Sequence, residues 1–142
     1  MLGINSKKLV LKSNNQVKTL SFKKNFHTLI VKPHFGCSTK KIYSKVKNFT
    51  KPEFHFASGK MLSAKFLKNI KNDLEIIAFK KFPKLKILKN FLENIAYVEF
   101  VRMTGSGSAI IAYFSSVKQC KEAEKKVKKQ FKNYWCKISK TI

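Results

Sequence analysis

The stretch YVEFVRMTGSGSAIIAYF, residues 97–114, decides how the rest of the chain is read. Two apolar runs rich in β-branched and aromatic residues, Tyr97 to Met103 and Ala109 to Phe114, predict strands. Between them stand five small residues, Thr104, Gly105, Ser106, Gly107 and Ser108. So short a connection makes the two strands antiparallel neighbours. Its glycines can adopt positive φ and bring backbone N–H groups close to a ligand oxygen. The flanking hydroxyls are further potential donors. The same composition also serves a plain hairpin, so both readings stand at this point.

Working outward, His27 to Lys32 (HTLIVK) predicts a buried strand ended by Pro33. Ser38 can cap a helix that carries Ile42, Tyr43, Val46 and Phe49 on one face and closes before Pro52. A helical block follows from Ser58 to Ile95. Leu62, Phe66 and Ile70 mark its first helix. Asn72-Asp73-Leu74-Glu75 fits a capping box, with Glu75 reaching back to Asn72. Leu74, Ile77 and Ala78 face inward after it. Pro83 opens a new first turn, and Leu85, Leu88, Leu92 and Ile95 continue the apolar stripe. On the other side of the opening stretch, Ser116 caps a helix with Cys120, Ala123, Val127 and Phe131 inward. Glu122 and Glu124 are expected in its early turns. Tyr134 to Ile138 is the last expected strand. From His27 the order is β-α(αα)-β-β-α-β, an α+β class chain of ferredoxin-like two-layer sandwich type. Residues 1–26 are set apart as a short β-hairpin, Lys8 to Lys12 and Gln16 to Phe22, turning at Ser13-Asn14-Asn15. The division expected is 1–26 and 27–142.

Composition bounds the function. At 142 residues and 44% hydrophobic, the chain can bury a core. It has no apolar run of the ~18 residues a membrane helix needs. No leader pattern is read in Met1 to Lys12. Three scattered cysteines, Cys37, Cys120 and Cys136, suit reduced thiols and a cytoplasmic location. The formal charge of +24 invites a nucleic-acid reading. Yet among 31 basic residues only Arg102 is arginine. Phosphate and base readers favour the bidentate guanidinium. The lysines are also spread along the chain, as in a protein drifting toward Lys, Ile and Asn. A basic nucleic-acid-binding α+β module therefore stands as the alternative. It lacks the alternating aromatics that an RNA recognition motif needs on Ala109 to Phe114.

Other chemistry-bearing residues form no pattern. His27, His34 and His55 lack metal-ligand spacing, and no metal site is expected. Cys37 has no base partner in the sequence. Asp73 and Glu75 read as capping residues before they read as an acid/base pair.

The segment Arg102 to Ala109 resembles the third motif of the GHMP kinases, an (S/T)-G-(S/T)-G stretch between two strands of their C-terminal domain. Two further stretches resemble one family among them, the 4-diphosphocytidyl-2-C-methyl-D-erythritol kinases. His27 to Pro33 with Cys37-Ser38-Thr39 and Tyr43 is similar to that family's strand, loop and helix start. Asn72-Asp73-Leu74-Glu75 is similar to its N-D-L-E segment. The resemblance spans most of residues 27–142. It implies the C-terminal domain of an ATP-dependent kinase, using Mg²⁺, that phosphorylates the 2-hydroxyl of 4-diphosphocytidyl-2-C-methyl-D-erythritol in non-mevalonate isoprenoid synthesis. It also implies that Thr104, Gly105, Ser106, Gly107 and Ser108 line the substrate and ATP cleft, with Gly107→Val harming turnover more than folding. The family's P-x-x-x-G-L-G-G-G-S-S phosphate loop and catalytic Asp have no counterpart in this sequence. The expectation is a C-terminal half that is inactive alone, binds no ATP by itself and meets its substrates when an N-terminal domain is supplied.

Overall fold

The computed structural model describes residues 25–47, 49–50 and 63–141, and the backbone of 7–11 and 16–20. Strands β1 (Lys7–Leu11) and β2 (Gln16–Leu20) pair antiparallel as a two-stranded sheet. The expected Ser13-Asn14-Asn15 turn lies outside the described residues.

A second sheet holds β3 (His27–Lys32), β4 (Phe100–Met103), β5 (Ile110–Phe114) and β6 (Trp135–Lys140), in the order β4-β5-β3-β6 with antiparallel pairs. This is the ferredoxin-like order, as expected. The register puts one residue set on one face. Leu29 pairs with Ala112 and Ile138, Val31 with Ile110 and Cys136, and Met103 with Ile110. That face is the core layer: Leu29, Val31, Ile110, Ala112 and Phe114 are all fully buried. Alternation along each strand is what allows it, since residues two apart share a side.

The helices cover that face. Helix α1 spans Thr39–Tyr43, α2 Ala64–Asn69, α3 Asp73–Lys81, α4 Pro83–Glu93 and α5 Val117–Gln130. Leu74 and Ala78 of α3, Leu85, Leu88 and Leu92 of α4, and Cys120, Ala123 and Val127 of α5 point into the core. Each fully buried leucine contributes about 1.5–3 kcal/mol by leaving water. Ser116 caps α5 in a reciprocal box with Gln119. Pro83 occupies the first turn of α4, where its missing N–H costs nothing.

Four expectations need correction. Helix α1 stops at Tyr43. Its end tightens through Lys45 N–H to Ile42 O and Val46 N–H to Tyr43 O. Only Ile42 is buried, while Tyr43 and Phe49 are exposed, so no continuous stripe rewards a longer helix among four lysines. Strand β4 begins at Phe100, three residues late, because Tyr97 takes φ 65 as the chain reverses out of α4. Glu122 and Glu124 lie beyond the first turn of α5, which holds no acidic residue. Glu75 does not reach back to Asn72; its carboxylate faces β4 instead.

Candidate functional site

The loop 104–108 joins β4 to β5 and closes on itself. Thr104 donates its N–H to Ala109 O at 2.9 Å, and Gly107 donates to Thr104 O at 2.7 Å. Gly105 (φ 44) and Gly107 (φ 87) both occupy the left-handed region, where a side chain is strained. The two glycines differ in their surroundings. A Cβ on Gly105 would meet nothing within 4 Å. One on Gly107 would meet Met103 Sδ at 3.1 Å and Cys37 Sγ at 3.2 Å. Gly107 is therefore a packing glycine, and Gly107→Val strikes the fold together with any turnover.

The loop is stitched to the β3–α1 connection. Ser108 donates its hydroxyl to Phe35 O at 2.7 Å, and Ser106 Oγ lies 3.0 Å from Thr39 Oγ1. Both serines are buried, at 4% and 8% exposure. Thr104 and Gly105 are exposed, and the Thr104 hydroxyl donates to Ala109 O at 3.2 Å. In this structure both hydroxyl protons are engaged by backbone carbonyls, that of Thr104 by Ala109 O and that of Ser108 by Phe35 O. What stays open is backbone. The N–H groups of Gly105, Ser106 and Ser108 meet no acceptor among the described residues.

The start of α3 grips the same loop. Asn72 Oδ1 accepts from Leu74 N–H at 3.1 Å, the expected cap. Its Nδ2 donates to Gly105 O at 2.9 Å and Met103 O at 3.3 Å. Glu75 Oε1 accepts from Met103 N–H at 3.0 Å, and Oε2 pairs with Lys89 Nζ at 2.6 Å. This is why Glu75 abandons the capping box: the outward N–H at the end of an edge strand needs an acceptor, and Lys89 fixes the carboxylate there. A cavity of about 550 Å³ opens beside this brace, lined by Asn72, Asp73, Glu75, Lys89 and Arg102 among others; the loop itself does not line it.

Asp73 is the sole aspartate of the chain. Hydrogen bonds from the Thr50 hydroxyl and the Thr50 N–H hold its carboxyl below the usual range. Burial pushes the Cys37 thiol up, against the pull of Lys81, so it is a poor nucleophile. No group of three His, Cys, Asp or Glu gathers among the described residues. No described helix is long and apolar enough to cross a membrane.

The expected cleft residues 104–108 do form one compact unit. The sequence did not reveal that Phe35, Thr39, Asn72 and Glu75 serve it. Those partners lie between 28 and 73 positions away. The one available signal was that Thr39 and the Asn72 segment fell within the stretches carrying the family resemblance.

No family model matches the chain. Curated relatives do. The 4-diphosphocytidyl-2-C-methyl-D-erythritol kinase of Pelagibacter ubique is 50% identical over 142 residues, covering 100% of this chain and 50% of its own length. That of Clostridium kluyveri is 31% identical over 134 residues, 89% of this chain and 46% of its own. Two solved structures share the fold. A 4-(cytidine 5'-diphospho)-2C-methyl-D-erythritol kinase matches with TM-score 0.61 at 20% identity, over 86% of this chain and 45% of the other. A homoserine kinase from Cytophaga hutchinsonii matches with TM-score 0.66 at 17% identity, over 95% and 47%. The chain spans about half the length of the curated relatives it matches, and it belongs to the 4-diphosphocytidyl-2-C-methyl-D-erythritol kinase family.

Proposed function

We propose that this chain is the C-terminal half of a kinase that moves the γ-phosphate of ATP to the 2-hydroxyl of 4-diphosphocytidyl-2-C-methyl-D-erythritol. The observation that carries the reading is 50% identity to such a kinase along the whole chain. In this reading the loop 104–108 forms one wall of the substrate cleft. Phosphoryl transfer depends on holding donor and acceptor in line while negative charge is met by fixed donors. The open N–H groups of Gly105 and Ser106 suit that task, as backbone donors that need no reorganisation.

Magnesium, which such a kinase implies, does not fit the described residues. The carboxylate of Asp73 is held by Thr50 and that of Glu75 by Met103 and Lys89. The contribution of this half is therefore steric and dipolar: it shapes the cleft, excludes water and presents N–H groups. The strongly positive chain adds a field that draws in an anionic nucleotide substrate.

The test is an ATP phosphoryl-transfer assay with 4-diphosphocytidyl-2-C-methyl-D-erythritol. The purified chain is assayed alone and mixed with the N-terminal half of the Pelagibacter ubique kinase. Activity in the mixture alone is the expected result. Turnover by the isolated chain, or silence in both, would overturn the reading.

A further inference from the structure

We infer that Asn72 is a positioning residue for the glycine loop. By holding the Gly105 carbonyl it sets the plane of the Gly105–Ser106 peptide and so aims the Ser106 N–H at an anionic ligand oxygen. The ligand half of this statement rests on the kinase reading above.

The peptide after Gly105 is soft by itself. Gly105 has no side chain, lies at φ 44 and has open space around it. One contact removes that freedom: Asn72 Nδ2 donates to Gly105 O at 2.9 Å. The peptide unit is planar and trans, so its N–H points opposite to its C=O. The Ser106 N–H is thereby turned away from α3, and it meets no acceptor among the described residues. On its other flank, the Ser106 hydroxyl is held by Thr39 at 3.0 Å.

The Asn72 amide cannot rotate freely. Its Oδ1 is engaged by Leu74 N–H at 3.1 Å, and Nδ2 also reaches Met103 O at 3.3 Å. Met103 presents both N–H and C=O outward from the free edge of β4. Asn72 takes the carbonyl and Glu75 the N–H, the two bonds another strand would make. Residues three apart at a helix start share a face, so one turn of α3 supplies both.

Capping alone does not demand asparagine. Aspartate caps as well and suits the helix dipole better. Only a side-chain amide of this length offers an acceptor to Leu74 and a donor to Gly105 on one planar group. Asn72→Asp therefore separates the two roles. It keeps the cap, removes the donor and places a carboxylate against the Gly105 carbonyl.

The test has two arms. In the ¹⁵N-labelled chain, Asn72→Asp is expected to stay folded, with a modest fall in the urea midpoint from the lost Gly105 and Met103 bonds. The order parameter of the Ser106 amide should fall from about 0.85 to below about 0.6. In the mixed-half assay, the same variant is expected to lower kcat about tenfold with KM for both substrates within about twofold. Asn72→Ala, which loses the cap as well, should add a further drop in the urea midpoint. An unchanged Ser106 amide in Asn72→Asp overturns the inference whatever the turnover does. A loosened amide with unchanged kcat overturns the positioning role and leaves a structural brace. An inactive wild-type mixture defeats the kinase reading instead, and the amide arm then decides by itself whether Asn72 holds the peptide.

Discussion

The two edges of the four-stranded sheet are built from opposite materials. Strand β4 is short and apolar, with Phe100, Val101 and Met103 buried. Its outward polar groups at Met103 are taken by Asn72 and Glu75. Strand β6 alternates half-buried Cys136 and Ile138 with exposed Trp135, Lys137, Ser139 and Lys140. Exposed edges invite pairing with other chains, and lysine on them blunts it. An edge clasped by side chains can end in an ordered loop; an edge guarded by charge needs only to stay solvated. The candidate site stands at the clasped edge.

Truncating one aromatic on each edge gives the largest contrast. Phe100 stacks on Tyr113 at 4.1 Å and meets Phe26 edge-on at 5.5 Å. Phe100→Ala is expected to cost about 3–5 kcal/mol in urea unfolding. Trp135 is 55% exposed, and Trp135→Ala should cost less than about 1 kcal/mol. Equal losses would mean that the edges do not differ as described.

The clasp itself comes next in size. Glu75→Ala strands the Met103 N–H and leaves Lys89 without its near partner. A destabilisation of about 2 kcal/mol is expected. Glu75→Gln, which keeps an acceptor for Met103, should recover roughly half of it. A glutamine variant no better than alanine would show that the Lys89 pair, not the strand bond, matters.

Between the edges, α5 carries Cys120 against the sheet, and burial pushes its thiol from 9.0 up to about 11. The raised folded value means the unfolded chain loses this proton first. Stability contributed by the neutral thiol is full below pH 9 and is lost as pH climbs toward 11. The urea midpoint should therefore hold from neutral pH to about 8 and fall above 9, less steeply in Cys120→Ala. An identical alkaline fall in that variant would assign the effect elsewhere.

The smallest change in folding stability belongs to β6. Lys137 and Lys140 are exposed. Replacing both by valine should change the unfolding free energy by less than about 0.5 kcal/mol while sedimentation reports self-association. A monomeric double variant would show that the edge is protected by something other than its lysines.

Much of this fold was readable because it is local. The apolar, β-branched runs His27 to Lys32 and Ala109 to Phe114 announce strands with no reference to the rest of the chain, while the face each buries was set by pairing and packing. Leu85, Leu88 and Leu92 encode a helix stripe just as locally, and Ser38, Asn72 and Ser116 mark helix starts by chemistry local to each. The two glycines announced a turn with positive φ, which Gly105 and Gly107 both adopt. Where local signals were weak or in conflict, packing ruled: α1 kept only the turn that buries Ile42, and β4 gave up three residues to the reversal at Tyr97.

The site divides along the same line. That 104–108 would be a glycine loop between strands was determined by its residues alone, because its glycines weaken strand pairing and accept the positive φ of a tight turn while strand formers flank them. Which hydroxyls face inward, which N–H groups stay open, and that Glu75 serves Met103 and not its own helix were decided by tertiary structure. Those outcomes depend on groups tens of residues apart meeting within about 3 Å, and hydrogen bonds that short-ranged leave no periodic trace in a sequence.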